Sequence, residues 1–424
     1  MKKGLLLIIS VMYAWLGHSQ GVDLYLKATL KVNQDKLYRN LVQYTINHNL
    51  SQPLSDSTEE NWQDAFQAME VLQYNKPWIE RQMHTASESL ISRTVFFQRS
   101  FLELLYSHYP GKFIQPVQQL LKQTSDAKIF AMCAVYLLKS DTVKQYTNFL
   151  TIQTKLKLQE QPNNPILLQL QRYITTFYQP LRPLDISSFF NKNYLPGNVL
   201  LISFQRKNRD YPGLVMVRDA SGNFVKDSTG NYFSVPQLAR SVSGLPPFLT
   251  NGNSPEGIFR MDKFDVSVST FIGPTPNLQL SMPFEKKAFH FFQTQNENDT
   301  TWNIERYKNL LPDNFKNYDP MYQAWYAGMA GRTEIIAHGS TVNPGYYKGQ
   351  PFYPLTPTQG CLATKEIWST ETGKRTESDQ QKLVYAILKA GGANGYAVVI
   401  NINNDERPVT ISEIIPFLKN VSAK

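Results

Sequence analysis

Apolar residues recur every three or four positions as far as about Tyr178 and every second position from Val199 onward, so this chain of 424 residues must fold as two unlike halves. Leu37, Leu41 and Tyr44, and again Ala65, Met69 and Leu72, form stripes of helical spacing. Ser57 with Glu60 has the spacing of a capping box ahead of Trp62 and Phe66. Pro110 and Gly111 close a helix carrying Phe101, Leu102, Leu105 and Tyr106, and further helices are expected at about 126–139, 142–159 and 164–178. Pro180, Pro183 and Pro196 then punctuate 179–196, which reads as a linker.

Past the linker, 199–204 and 214–217 are strand-like, with a turn-rich stretch at 207–213 between them, and a last apolar strand is expected at 396–402. Two helices interrupt this half: one over about 301–311, capped near Thr300 and stopped by Pro312, the other over 378–390, ended by Gly391 and Gly392. The fold class expected is α+β, an all-helical domain over 20–178 followed by a β-rich domain over 197–424 with helical inserts. With 42% hydrophobic and 18% charged residues, the chain has enough apolar mass for a core in each half and is not disordered.

The first residues have the layout of an export signal: Lys2 and Lys3, an apolar run over 5–16, then Gly17 and Ser19 ahead of Gln20, with cleavage expected after Ser19. That run is shorter than the roughly 20 residues of a spanning helix, and no later stretch approaches that length. No Cys follows it to take a lipid. An exported chain of the periplasm or cell envelope is expected, with no integral membrane segment once the signal is removed. The formal charge of +9 comes from scattered Lys and Arg without a basic block or nucleic-acid motif, which excludes a nucleic-acid partner and suits an anionic envelope.

Cys133 and Cys361 are the two cysteines. An exported chain would ordinarily bridge such a pair. Cys133, however, sits in the apolar helical stretch 129–135, where a buried inert thiol is the ordinary outcome, while Cys361 sits in a Gly-containing loop. A free loop thiol points to nucleophilic chemistry. Upstream, 334–340 reads as a short apolar strand delivering His338 into a turn with Gly339 and Ser340. A Pro-, Gly- and Tyr-rich loop separates it from Thr358-Gln359-Gly360-Cys361-Leu362. An imidazole near a thiol can take its proton, although the two residue types alone leave a structural thiol and an ordinary histidine open. His48, His84, His108 and His290 have no motif around them, and no Cys/His spacing suits zinc.

Together these segments resemble the catalytic domain of the L,D-transpeptidase family, the YkuD type, in which a strand ends in His-Gly and a variable loop leads to Ser/Thr-x-Gly-Cys and an aliphatic residue. His338-Gly339, Thr358, Gly360, Cys361 and Leu362 carry the match. The strands at 199–217 resemble the family's opening hairpin, and 252–259 its Thr-Pro-x-Gly-x-Phe segment, so the resemblance covers about 196–403. Gln359 stands where many members have His, Ala363 where many have Arg or Asn, and about 260–330 reads as a large insert.

The resemblance implies a β-sandwich in which Cys361 is the nucleophile, His338 the base, and the carbonyl of Gly339 the group that orients the imidazole. It implies that the N–H groups of Gly360 and Cys361 face an oxyanion and that Thr358 shapes the loop. Ser340, Gln359, Tyr322 and Tyr347 are the expected substrate contacts, the two tyrosines as parts of an aromatic groove or lid hinged at Gly345 and Gly349. The implied reaction forms a Cys361 thioester with a peptidoglycan stem tetrapeptide and passes it to an amine, without metal or cofactor. Water as acceptor would make a carboxypeptidase, a papain-like peptidase would need a helix starting at the Cys, and a non-catalytic wall-binding scaffold would not use the thiol. The helical domain carries no chemical motif and is expected to bind a protein partner or the wall.

Overall fold

A computed structural model describes residues 24–141, 143–181 and 184–422, so the export signal expected over 1–19 lies outside the described residues. The first half is helical, as its period requires. Asp126 and Asn164 cap the helices Ala127–Lys139 and Pro165–Thr176, each side-chain oxygen accepting from two N–H groups of the first turn. The capping box expected at Ser57 does not form. Thr58 is the residue that precedes the helix Glu59–Leu72, and its hydroxyl is bonded to the carbonyl of Pro53. Trp62, Phe66, Phe97, Phe101 and Phe113 fill the helical core in edge-to-face pairs such as Phe66–Phe101, whose centroids are 5.8 Å apart.

The second half is a sheet of eight strands that closes on itself. In order around the barrel they are β1 (Val199–Arg206), β10 (Gly395–Asn403), β4 (Gly257–Asp265), β5 (Asn277–Ser281), β6 (Ile336–His338), β7 (Leu362–Thr364), β3 (Val235–Leu238) and β2 (Gly213–Arg218), while β8 (Glu366–Trp368) and β9 (Arg375–Ser378) form a separate hairpin. The expected sandwich is therefore corrected to a barrel. The last strand, β10, inserts between β1, in parallel, and β4, antiparallel, and β6 pairs with β7 in parallel, so none of the eight keeps a free edge. The stretch 260–330 is likewise no simple insert, because it supplies β5 to the barrel wall.

Alternation along the strands sorts their side chains into two cores. Leu201, Val215, Phe259, Leu280, Ala337 and Leu362 belong to one that draws on all eight strands and on Leu383 and Ile387 of the helix Asp379–Lys389, which identifies it as the inside of the barrel. Leu200, Ile202, Ile258 and Val398 point outward under Tyr307, Trp325 and Leu418. The linker is no slack tether, since Ile186, Phe189 and Phe190 are buried in this outer core. The helix expected over 301–311 is shorter, Ile304–Lys308, and is capped by Asn303.

The two halves share a core. Leu245, Phe248 and Leu249, from the loop after β3, pack among the helices. Lys128 Nζ donates to Thr250 Oγ1 at 2.8 Å, and the Tyr347 hydroxyl to the carbonyl of Val71 at 2.9 Å.

Candidate active site

His338 is the last residue of β6, and Cys361 immediately precedes β7. These strands run parallel with Ala337 opposite Leu362 and His338 opposite Ala363. Because side chains alternate, Ala337 and Leu362 point into the barrel while His338 and Cys361 share the outer face. Both line one cavity of about 910 Å³, together with Thr358, Gln359, Ser340 and Tyr347. The chain thus brings together residues that lie on either side of a long loop.

The neutral tautomer of His338 is set by its neighbour. Nδ1 donates to the carbonyl of Gly339, which leaves Nε2 as the acceptor nitrogen. Only 3% of His338 is exposed, and burial pulls its pKa down to about 4 against the opposing effect of that carbonyl. Gly339 has no room for a side chain, since a methyl there would lie 2.2 Å from Cδ of the buried Glu366.

The Cys361 thiol donates to the carbonyl of Glu334 at 3.5 Å. Burial pushes its pKa up, while a hydrogen bond from the backbone of Ile336 and the guanidinium of Arg332 oppose that rise. The sulfur is therefore protonated at rest and His338 is neutral, so the two do not form a standing thiolate–imidazolium pair.

The loop before the nucleophile is held by Thr358. Its Oγ1 accepts from the N–H of Gly360 at 3.2 Å and of Cys361 at 2.9 Å, and is also bonded to the carbonyl of Cys361. This corrects the expectation that those two N–H groups face the cavity as oxyanion donors: both are taken by a side chain. Gly360 is required on two counts, a φ of +108° and a hypothetical Cβ lying 2.1 Å from Arg332 Nη2. Ser254, from the segment 252–259, donates to the carbonyl of Gly360 at 2.8 Å.

No family model, curated protein or solved structure matches this chain. The site must be read from its own chemistry.

One expected contact is placed differently. Tyr322 is 8% exposed and lies in the outer core against Tyr307, with its hydroxyl on the carbonyl of Lys316, so it serves packing and does not reach the cavity. The aromatic loop is not a loose lid either: Tyr346 stacks on Tyr38 of the helical half, and Phe352 and Leu355 are buried against Leu238 and Ala363. Tyr347 does line the cavity, where its hydroxyl ties the loop to the helix Glu59–Leu72. Cys361 leads into a strand, which disfavours a papain-like arrangement. Cys133 is a fully buried free thiol whose pKa burial drives upward, and no bridge joins it to Cys361.

Several cavity residues carry no sequence signal. Asp64, Glu70 and Glu103 come from the helical half, Glu334 and Arg332 from the approach to β6. Arg332 is the single Lys or Arg among the lining residues. Burial lifts the Glu70 carboxyl to about 8, helped by the Glu103 charge beside it, and Glu103 itself is raised by burial. The helical half is thus one wall of the site. Among the described residues no group of three His, Cys, Asp or Glu side chains is placed to hold a metal ion, and no helix is long and apolar enough to cross a membrane.

Proposed function

We propose that this chain is an exported L,D-transpeptidase acting on peptidoglycan stem peptides. The observation that carries the reading is the placement of Cys361 and His338 on one face of adjoining parallel strands, lining one cavity. In the first step the thiol proton passes to Nε2 of His338 as sulfur attacks the carbonyl of the third stem residue. The C–N bond to D-Ala then breaks, and His338 returns the proton to the leaving amine. An amine of a neighbouring stem attacks the resulting thioester, giving a 3→3 cross-link or an amino-acid exchange and regenerating the thiol; water in its place gives a carboxypeptidase. Neither metal nor organic cofactor takes part. Asp64 and Glu334 on the cavity lining, with Glu70 and Glu103 as acceptors whose protons burial retains, support a substrate that bears an ammonium, as a diamino acid does. A position in the periplasm or cell envelope belongs to this proposal too.

One observation favours a second reading, a wall-binding scaffold that does no chemistry: the N–H pair beside the nucleophile is occupied by Thr358. The decisive experiment incubates the folded chain, residues 20–424, with tetrapeptide muropeptides and follows D-Ala release and a covalent adduct on Cys361 by mass spectrometry. Release and adduct, both lost in Cys361→Ala, support the transferase. Binding without either supports the scaffold.

A further inference from the structure

We infer that Arg332 is the positioning charge that favours the Cys361 thiolate as it forms, while His338 takes the proton. The inference rests on the reading of Cys361 as the attacking group and assigns the source of its activation.

Three observations carry it. First, the guanidinium is placed at the nucleophile's loop: the Cα of Gly360, next in sequence to Cys361, is packed so closely on Arg332 Nη2 that a methyl group would overlap it. Second, the charge is buried without an acid. Arg332 is 6% exposed, its Nη atoms donate to the carbonyls of Pro247, Gly252 and Asn253, and among the described residues no carboxylate lies within ion-pair distance of it. Burying a cation without a counter-charge is costly, and a fold that needed only to stitch carbonyls together could do so with a neutral donor. Third, among the described residues no other permanent positive charge lines the cavity.

Charged and titratable groups from several elements line the cavity with the sulfur. Arg332 and Glu334 precede β6 and His338 ends it, while Asp64, Glu70 and Glu103 stand across the cavity on the helices. Of these, Glu334 raises the thiol and Arg332 lowers it, and burial keeps His338 neutral above about pH 4. Without Arg332 the sulfur would face burial and the Glu334 carboxyl with two neutral hydrogen bonds, from the Ile336 backbone and the Thr358 side chain, and no positive charge in its favour. A guanidinium is suited to this place because it stays charged when buried: it is pulled down only to about 10, with the Cys361 thiolate opposing that fall.

The test is the pH dependence of iodoacetamide alkylation of Cys361, read by mass spectrometry on the folded full chain, for the native protein, Arg332→Met and Arg332→Lys. The expected result is that the alkylation midpoint rises by about one pH unit in Arg332→Met, roughly a tenfold slower reaction at neutral pH, and stays near the native value in Arg332→Lys. An unchanged midpoint in Arg332→Met overturns the inference, as does an equal rise in both variants, which would mark the effect as packing. If Arg332→Met does not fold, Arg332→Lys decides alone: a retained midpoint supports a role for the charge, and a rise of a full unit overturns it. Alkylation needs no turnover, so this result stands or falls apart from muropeptide cleavage.

Discussion

The hydroxyl of Thr358 accepts the N–H of Cys361 at 2.9 Å, so the side chain three residues before the nucleophile fixes the backbone on which the nucleophile sits. The same oxygen takes the N–H of Gly360. Removing it leaves two donors of a buried loop without partners, at a cost of about 1–3 kcal/mol. Thr358→Ala should lower the urea midpoint of unfolding accordingly, and Thr358→Ser should restore it. Equal stability of Ala and Ser variants would show that the hydroxyl does not hold the loop.

Gly360 should tolerate no side chain. A φ of +108° and the contact with Arg332 Nη2 both oppose Ala, and Gly360→Ala is expected to cost at least about 2 kcal/mol and to slow alkylation of Cys361. Cys361→Ala, in contrast, should leave the melting temperature near native while abolishing D-Ala release. Calorimetry and the muropeptide assay on the two variants separate the structural residue from the reactive one.

The acid limb of activity should lie near pH 4, since that is where burial places His338, and turnover should hold between pH 7 and 5. Stability carries the same signature. The folded pKa lies below the ordinary 6.5, so the unfolded chain takes up this proton first, and the contribution of His338 is full above pH 6.5 and lost as pH falls toward 4. His338→Gln should flatten that decline in a pH series of denaturation curves. An acid limb at pH 6.5 in the native protein would refute the assignment of a buried, neutral base.

Glu70 has the opposite sign. Its folded pKa of about 8 lies above the ordinary 4.5, so the folded chain keeps a proton that the unfolded chain releases, and stability present below pH 4.5 is lost as pH rises through 8. Glu70→Gln retains an acceptor for the Ser107 hydroxyl, which donates to Glu70 Oε1 at 3.0 Å. It should stabilise the protein by on the order of 1 kcal/mol at pH 8 and change little at pH 5. A stabilisation independent of pH would rule out the carboxyl as its source.

The two thiols should separate cleanly. Cys133 is enclosed in the helix Ala127–Lys139, whereas Cys361 lines the cavity, so brief treatment of the folded chain with a maleimide should modify Cys361 and reach Cys133 after unfolding. Modification of Cys133 in the folded state would contradict its burial.

Much of the secondary structure was legible along the chain. The change of period after Tyr178 separates helices ending with Pro165–Thr176 from strands beginning at Val199–Arg206, and Gly391 and Gly392 do follow the helix Asp379–Lys389. Helical and extended backbones repeat over a few residues, so neighbours in sequence are enough to mark them. The short helix at Ile304–Lys308 was overestimated because its apolar residues, Tyr307 and Leu311, serve the outer core and not a long helix face.

What the amino-acid order determined by itself was the alternation of apolar residues, the helices beginning near 126 and 164, and the spacing that marks Cys361 and His338 as a pair worth testing. Tertiary structure alone decided that β10 closes the sheet, that Tyr322 belongs to the core, that Thr358 occupies the two N–H groups, and that Arg332, Glu70 and Glu103 line the cavity that holds the thiol. The physical reason is range. Backbone preference is settled within a turn or two, whereas burial, partnering and charge at a point are sums over segments that only folding brings together.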